Sequence, residues 1–215
     1  MRELEALSPG SHVLSVGEGW GTHLVDLAGT FPQLRFVAIE LDPARAGAIG
    51  ALIRQHGLRN AFAVRGDASR MPFLDRTFRF VYVRSVLQFL ADPRGHLAEV
   101  ARITDGVVLY RDNGNWPFYP ILRGVQSFTL WLRRRPGAGA VLRDARIASA
   151  TSTLRWHATR YARWAKRTAP FAEVRIVGHD FLWWDADRHL PLVGLVGARF
   201  GLRCTVASSP RRTGA

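Results

Sequence analysis

Three glycines in Gly-x-Gly-x-Gly spacing come directly after an alternating apolar run, His12-Val13-Leu14-Ser15-Val16-Gly17-Glu18-Gly19-Trp20-Gly21-Thr22. This order reads as a strand, a tight turn and the start of a helix. Glycine suits such a turn because the backbone must bend sharply and approach a ligand with no Cβ in the way. An ordinary glycine-rich turn has the same composition, so the reading depends on the residues at set distances downstream.

Downstream of Gly21 the chain alternates regularly. Thr22–Ala28 has helical spacing of Leu24, Leu27 and Ala28 and stops at Phe31-Pro32. Leu34–Glu40 is a second apolar run that ends on an acid, 19 residues past Gly21. An acid at that place in a nucleotide-binding α/β fold accepts hydrogen bonds from ribose hydroxyls, although a solvated strand-end acid has the same pattern. Asp42-Pro43 has the form of an N-cap followed by proline at the first helical position, so Asp42 is assigned to capping. That helix ends near His56-Gly57. Asn60–Arg65 is a third strand, Phe78–Val83 a fourth and Val107–Tyr110 a fifth. A helix opening at Asp92-Pro93 precedes the fifth, and Thr104-Asp105-Gly106 reads as a turn. Strands separated by helices of this length imply βαβ units and a parallel sheet.

Residues 12–112 resemble the core of a class I S-adenosylmethionine-dependent methyltransferase, of the broad group acting on quinones, sterols and natural products. The motifs that carry the resemblance are Leu14-Ser15-Val16-Gly17-Glu18-Gly19-Trp20-Gly21, Glu40 and Gly66-Asp67-Ala68 before Pro72-Phe73. Thr77–Val81 with Val86-Leu87 and Asp92-Pro93 come next, then Glu99-Val100-Ala101-Arg102. The resemblance implies a Rossmann-like α/β fold: a mostly parallel seven-stranded sheet, helices on both faces, and a helical insertion after the fifth strand. It implies S-adenosylmethionine as cofactor. Gly17, Glu18, Gly19 and Gly21 would shape the loop under its methionine and ribose, and Glu40 would bind the ribose hydroxyls. Asp67, with the Ala68 backbone beside it, would accept from the adenine amino group. Arg84 and Ser85 would line the methyl-donor end. Carboxylates suit two of these roles because, ionised, they only accept.

Two positions depart from the family pattern. Ser15 stands where an acid is usual, and Arg79 where Asp is common. The first removes a carboxylate that helps to order the glycine loop, and Glu18 is the residue available to compensate. A dehydrogenase reading is poorer, because its Gly-x-Gly-x-x-Gly needs glycine at residue 22, which is Thr.

One domain is expected over residues 1–215, with a cofactor-binding core at 12–112 and a basic helical insertion, read as a substrate lid, at 116–170. C-terminal strands at 171–208 complete the sheet, and 209–215 form a tail. The net charge is +13, and within 116–170 eleven basic residues face Asp144 alone. Leu154–Arg167 reads as a helix with Leu154, Ala158, Tyr161 and Ala165 on one face and Arg155, Arg160, Arg163, Lys166 and Arg167 on the other. Such a face is either solvated or docks an anionic headgroup, an acidic substrate or RNA phosphates.

No run of 18 apolar residues is present, and the charged Met1–Glu5 start has no apolar signal region. Cys204 is the single cysteine, so no intrachain disulfide or cysteine-rich metal site can form. These features favour a cytoplasmic protein, with the basic segment leaving room for a peripheral membrane contact, and no metal.

Methyl transfer from a sulfonium needs alignment above all, and a general base only where the acceptor must lose a proton early. His157, Tyr110 and Asp112 are the candidates to face the acceptor. The leading expectation is methyl transfer to an anionic small-molecule or lipid-like acceptor. The alternatives are an RNA methyltransferase and a non-catalytic binding protein of the same fold.

Overall fold

The computed structural model describes residues 2–113, 128, 158–169, 171–179 and 199–206. A short helix, α1 (Arg2–Glu5), precedes β1 (His12–Val16). Then come α2 (Thr22–Thr30), β2 (Arg35–Glu40), α3 (Pro43–Gln55), β3 (Ala61–Arg65), β4 (Phe78–Arg84), a 3-10 turn at Leu87–Phe89, α4 (Pro93–Ile103) and β5 (Thr104–Asn113). The later described elements are α5 (Ala158–Thr168), β6 (Phe171–His179) and β7 (Arg199–Val206).

The strands form one seven-stranded sheet in the order β3-β2-β1-β4-β5-β7-β6. β1 to β5 are parallel to their neighbours, and β7 runs antiparallel between β5 and β6. This is the α/β architecture the sequence implies, including antiparallel insertion of the last strand beside the fifth. Successive strand residues face opposite sides, so the sheet feeds two cores. Leu14, Val16, Val81, Val83, Val108 and Tyr110 pack on one side with Leu97 and Val100 of α4 and Tyr161 and Ala165 of α5. On the other side Val13, Phe36, Phe80 and Tyr82 pack with Leu24 and Ala28 of α2, Ile49 and Ile53 of α3, and Leu4 of α1.

Two aspartates start helices as the sequence predicts. Asp42 Oδ1 accepts from the N–H groups of Ala44 (2.8 Å) and Arg45 (3.0 Å), ahead of Pro43. Asp92 Oδ1 accepts from Arg94 (3.1 Å) and Gly95 (3.0 Å), ahead of Pro93.

One expectation is corrected. Thr104-Asp105-Gly106 is not a turn; it is the beginning of β5. The reason is a close approach of backbones, since a Cβ on Gly106 would lie 2.0 Å from the Arg79 carbonyl oxygen. Glycine therefore lets β5 press against β4 at the register shift between Phe78 and Phe80. The last part of the expected lid, α5, packs over the sheet beside α4, with Tyr161 and Ala165 in the core and Arg163, Lys166 and Arg167 exposed. It packs against β6 and β7, where Tyr161, Ala162 and Ala165 give it an apolar stripe matched to that face. Apart from residue 128, the stretch 116–157 lies outside the described residues.

Candidate functional site

The carboxyl ends of β1, β2, β3 and β4 meet at one edge of the sheet, where the strand order reverses between β1 and β4. Ligands of open α/β sheets bind at such a place. The three glycines of the first loop all have left-handed φ, +69°, +69° and +87° at Gly17, Gly19 and Gly21. Their surroundings differ. A Cβ on Gly17 would lie 2.2 Å from Val86 Cγ2, and one on Gly21 within 3.2–3.3 Å of Ile49. Gly19 has nothing within 4 Å of that position. Gly17 and Gly21 thus seat the loop on the segment that follows β4 and on α3, and Gly19 is the one that faces open space.

Glu40 is 8% exposed at the end of β2. Its Oε2 accepts from Gly19 N–H at 3.0 Å, and its Oε1 from Leu41 N–H at 3.0 Å and Asp42 N–H at 3.3 Å. The carboxylate is held in place by the backbone, directly under the open glycine. Each oxygen has more than one lone-pair site, so acceptor capacity is left for a ligand hydroxyl.

The missing acid at position 15 is replaced three residues on. Ser15 Oγ donates to Glu18 Oε2, and Glu18 Oε1 accepts from Leu24 N–H at 2.8 Å. Gly21, the N-cap of α2, has no side chain to cap with. Glu18 supplies that cap from outside the helix and ties the glycine loop to both β1 and α2. Arg79, the other departure, lies at the far end of β4. Its Nη1 donates to Asp105 Oδ2 and to the Asp105 carbonyl, both at 2.8 Å. It joins β4 to β5 and does not reach the site edge.

After β3, Asp67 is exposed, and its Oδ1 accepts from Ser69 N–H at 2.8 Å. The neighbouring Ala68 carbonyl accepts from Nδ1 of His96 at 2.8 Å, which fixes the proton of this neutral imidazole on Nδ1. His96 is 0% exposed on the inner face of α4, and burial pushes its pKa from 6.5 down to about 4. Among the described residues its Nε2 has no hydrogen-bond partner.

The loop after Asp67 is clamped by Glu99 and Arg102. Arg102 donates to Glu99 (2.9 and 2.6 Å), to Asp75 (2.6 Å) and to the carbonyls of Phe73 (2.9 Å) and Met71 (3.3 Å). Glu99 Oε1 also accepts from Met71 N–H at 2.8 Å. The Arg102 guanidinium holds the Glu99 carboxyl below its ordinary range.

The expected site residues therefore divide. Gly17, Glu18, Gly19, Gly21 and Glu40 are brought together around one loop, and Asp67 and Ala68 stand at the end of the next strand but one. Arg84 ends β4 and is exposed, and Ser85 comes next with φ +55°. Tyr110 is fully buried among the α4-side core residues, its ring edge-on to His96 at 5.9 Å. Asp112 lies within β5 opposite Phe200. His157 lies outside the described residues. Sequence reasoning missed His23, His96 and Arg111. His96 had a signal, since it shares a helical stripe with Val100 and Ile103.

Residues 13–105 match the family described as a methyltransferase domain. That match covers a little under half of the chain, and over it the chain is similar to methyltransferase domains. The demethylmenaquinone methyltransferase of Mycolicibacterium vanbaalenii is 32% identical over 103 residues, which are 48% of this chain and 41% of that protein. The chain thus matches less than half the length of that curated relative. Two solved structures share the fold. A SAM-dependent methyltransferase from Aquifex aeolicus is 17% identical at a TM-score of 0.56, covering 96% of this chain and 87% of that one. Phosphoethanolamine N-methyltransferase 2 of Haemonchus contortus, in complex with S-adenosyl-L-methionine, is 12% identical at a TM-score of 0.67, covering 97% and 51%. The cofactor of a domain of this class is S-adenosylmethionine, and the residues present fit it: an open glycine, a preset carboxylate at the second strand and an exposed aspartate after the third. No cluster of metal-binding side chains occurs among the described residues, and none of the described helices is long and apolar enough to cross a membrane.

Proposed function

We propose that this protein transfers the methyl group of S-adenosylmethionine to an anionic small-molecule or lipid-like acceptor. The observation that carries the reading is Glu40, buried at the end of β2 and bonded to the N–H of Gly19, the loop glycine with open space above it. Glu40 would accept from the ribose hydroxyls and Asp67 from the adenine amino group. Glu18, bound to Ser15 and Leu24, keeps the loop in shape. The bound cofactor supplies an activated sulfonium methyl. The protein's part is then to orient the acceptor and exclude water, which is where most of the rate enhancement of such a transfer arises. The quinone-methylating relative makes a reduced quinone the first acceptor to try. We place the protein in the cytoplasm, with a peripheral membrane contact for a lipid-like acceptor.

Calorimetric titration with S-adenosylmethionine and S-adenosylhomocysteine tests the reading. Micromolar binding is expected, weakened about tenfold or more in Asp67→Ala by loss of a charge-assisted hydrogen bond. Folded protein that binds neither would overturn it, and binding without turnover on any acceptor would favour a non-catalytic role. RNA methylation is the second reading, supported by the exposed Arg163, Lys166 and Arg167 of α5. It requires RNA binding that weakens steeply with salt.

A further inference from the structure

Arg84 and Arg111 end neighbouring parallel strands and are direct register partners. Adjacent strands lie about 4.8 Å apart, so the two side chains start side by side. They share a face. Arg84 is two residues past Tyr82 and Arg111 two past Leu109, and both of those pack into the α2-side core. His23 of α2 marks the same spot. Its ring lies 5.2 Å from that of Tyr82, burial above all opposes its protonation, and both guanidinium charges act in the same sense. The carboxylates of Glu18 and Asp26 act on it in the opposite sense.

Arg79, on the same strand as Arg84, pairs with Asp105, and Arg102 of α4 pairs with Glu99 and Asp75. Among the described residues Arg84 and Arg111 make no side-chain hydrogen bond or ion pair, and like charges directly opposite each other destabilise a sheet. The fold gains nothing from this pair, yet it is built firmly. Ser85 takes a left-handed φ of +55°, uncommon for a residue other than glycine, and its N–H donates to the Arg111 carbonyl at 2.8 Å. The strand ends are thereby locked in register. One residue further on, Val86 fills the space beside Gly17, so the pair stands next to the cofactor loop. Nδ1 of His23 is buried and has no partner among the described residues.

We propose that Arg84 and Arg111 jointly bind an oxyanion of the methyl acceptor, a carboxylate, an ionised phenol or enol, or a phosphate, with the imidazole of His23 as the third polar group of the site. The proposal rests on the methyl-transfer reading for the word acceptor and on the arginine pair for the anion. Guanidinium groups present a planar fork of donors that matches such oxygens. A hydroxyl held between two of them ionises more readily, because a nearby opposite charge favours the charged form.

The test uses 4-nitrophenol, whose phenolate is yellow, with the full chain, with and without S-adenosylhomocysteine. Below the solution pKa of the probe, binding should raise the phenolate fraction about tenfold. Arg84→Met with Arg111→Met should abolish the rise, and the double lysine variant should retain part of it. Displacement by benzoate points to a planar oxyanion on the acceptor, and displacement by inorganic phosphate to a phosphorylated one. No rise in the wild type, or an equal rise in the double Met variant, would overturn the proposal. Titration of S-adenosylhomocysteine into the same proteins separates the two ideas. Cofactor binding without the anion effect removes only the arginine site, and the anion effect without cofactor binding removes the methyl-transfer reading.

Discussion

His96 should make the stability of this fold depend on pH in the range where carboxylates are already ionised. The imidazole is fully buried, donates Nδ1–H to the Ala68 carbonyl and lies against Tyr110. Desolvation lowers its pKa from 6.5 to about 4, against the opposing influence of the Ala68 carbonyl, Asp67 and Glu99. In the unfolded chain it takes up a proton as the pH falls through 6.5; in the folded chain it does not until about 4. The unfolded state therefore binds more protons between those values, and stability falls as the pH falls through that window. The full interval corresponds to about 3 kcal/mol, and the part between about pH 7.5 and about pH 5 to about 2 kcal/mol. His23, also held below 6.5, adds a contribution of the same sign. Urea unfolding of the wild type and of His96→Asn at the two pH values isolates the His96 share. The asparagine amide retains a donor for Ala68 and cannot titrate. The variant should be less stable at the higher pH and should lose about 2 kcal/mol less on acidification. An equal loss in both proteins would refute the reasoning.

The same geometry sets four further outcomes. Glu40→Ala should weaken S-adenosylhomocysteine binding at least tenfold by calorimetry, since it removes the carboxylate under Gly19 together with the bonds that position it. Glu18→Ala should cost roughly 1–3 kcal/mol in urea unfolding, because the Leu24 N–H loses its cap and Ser15 its partner. Gly106→Ala should destabilise by roughly 1–3 kcal/mol or more, with the new methyl driven onto the Arg79 carbonyl; a neutral result would mean that β5 moves away freely. Arg102→Met should release the 71–75 loop, read as faster amide exchange at Met71. The stabilisation Glu99 draws from Arg102 is fully present above the ordinary carboxylate value of 4.5 and is lost below it, so the wild-type advantage should shrink in acid.

The order of elements is readable because each is signalled locally. Asp42-Pro43 and Asp92-Pro93 announce helix starts through capping chemistry that depends on three or four consecutive residues. Glu40 at the end of an apolar run is legible for the same reason. The features that escape the sequence depend on approach between distant segments. Thr104–Gly106 looks like a turn until Arg79 is placed 2.0 Å from where a side chain would begin. The packing of Tyr110 is not legible either, because a strand pattern does not say which of two buried faces a residue joins. Arg111 gains meaning only from its register opposite Arg84. His96 is easily overlooked because a lone histidine on an apolar helix face is usually structural, and its bond to Ala68 spans 28 residues of sequence. The role of Glu18 is visible as a compensating charge, but its bond to the start of α2 is not.

The position of β7 bears on how this chain is made. It is the last of the described strands in sequence, yet it occupies an interior slot between β5 and β6. Until residues 199–206 leave the ribosome, the hydrogen-bonding edges of β5 and β6 that it fills have no partner in the emerging chain. The glycine loop and Glu40 belong to strands that can pair much earlier, so the cofactor half can take shape while the other half still presents raw edges. Exposed edges of that kind recruit other chains. A nascent chain stalled before residue 199 should therefore be aggregation-prone although its cofactor loop is complete, and early occupation of that loop would do little to protect it.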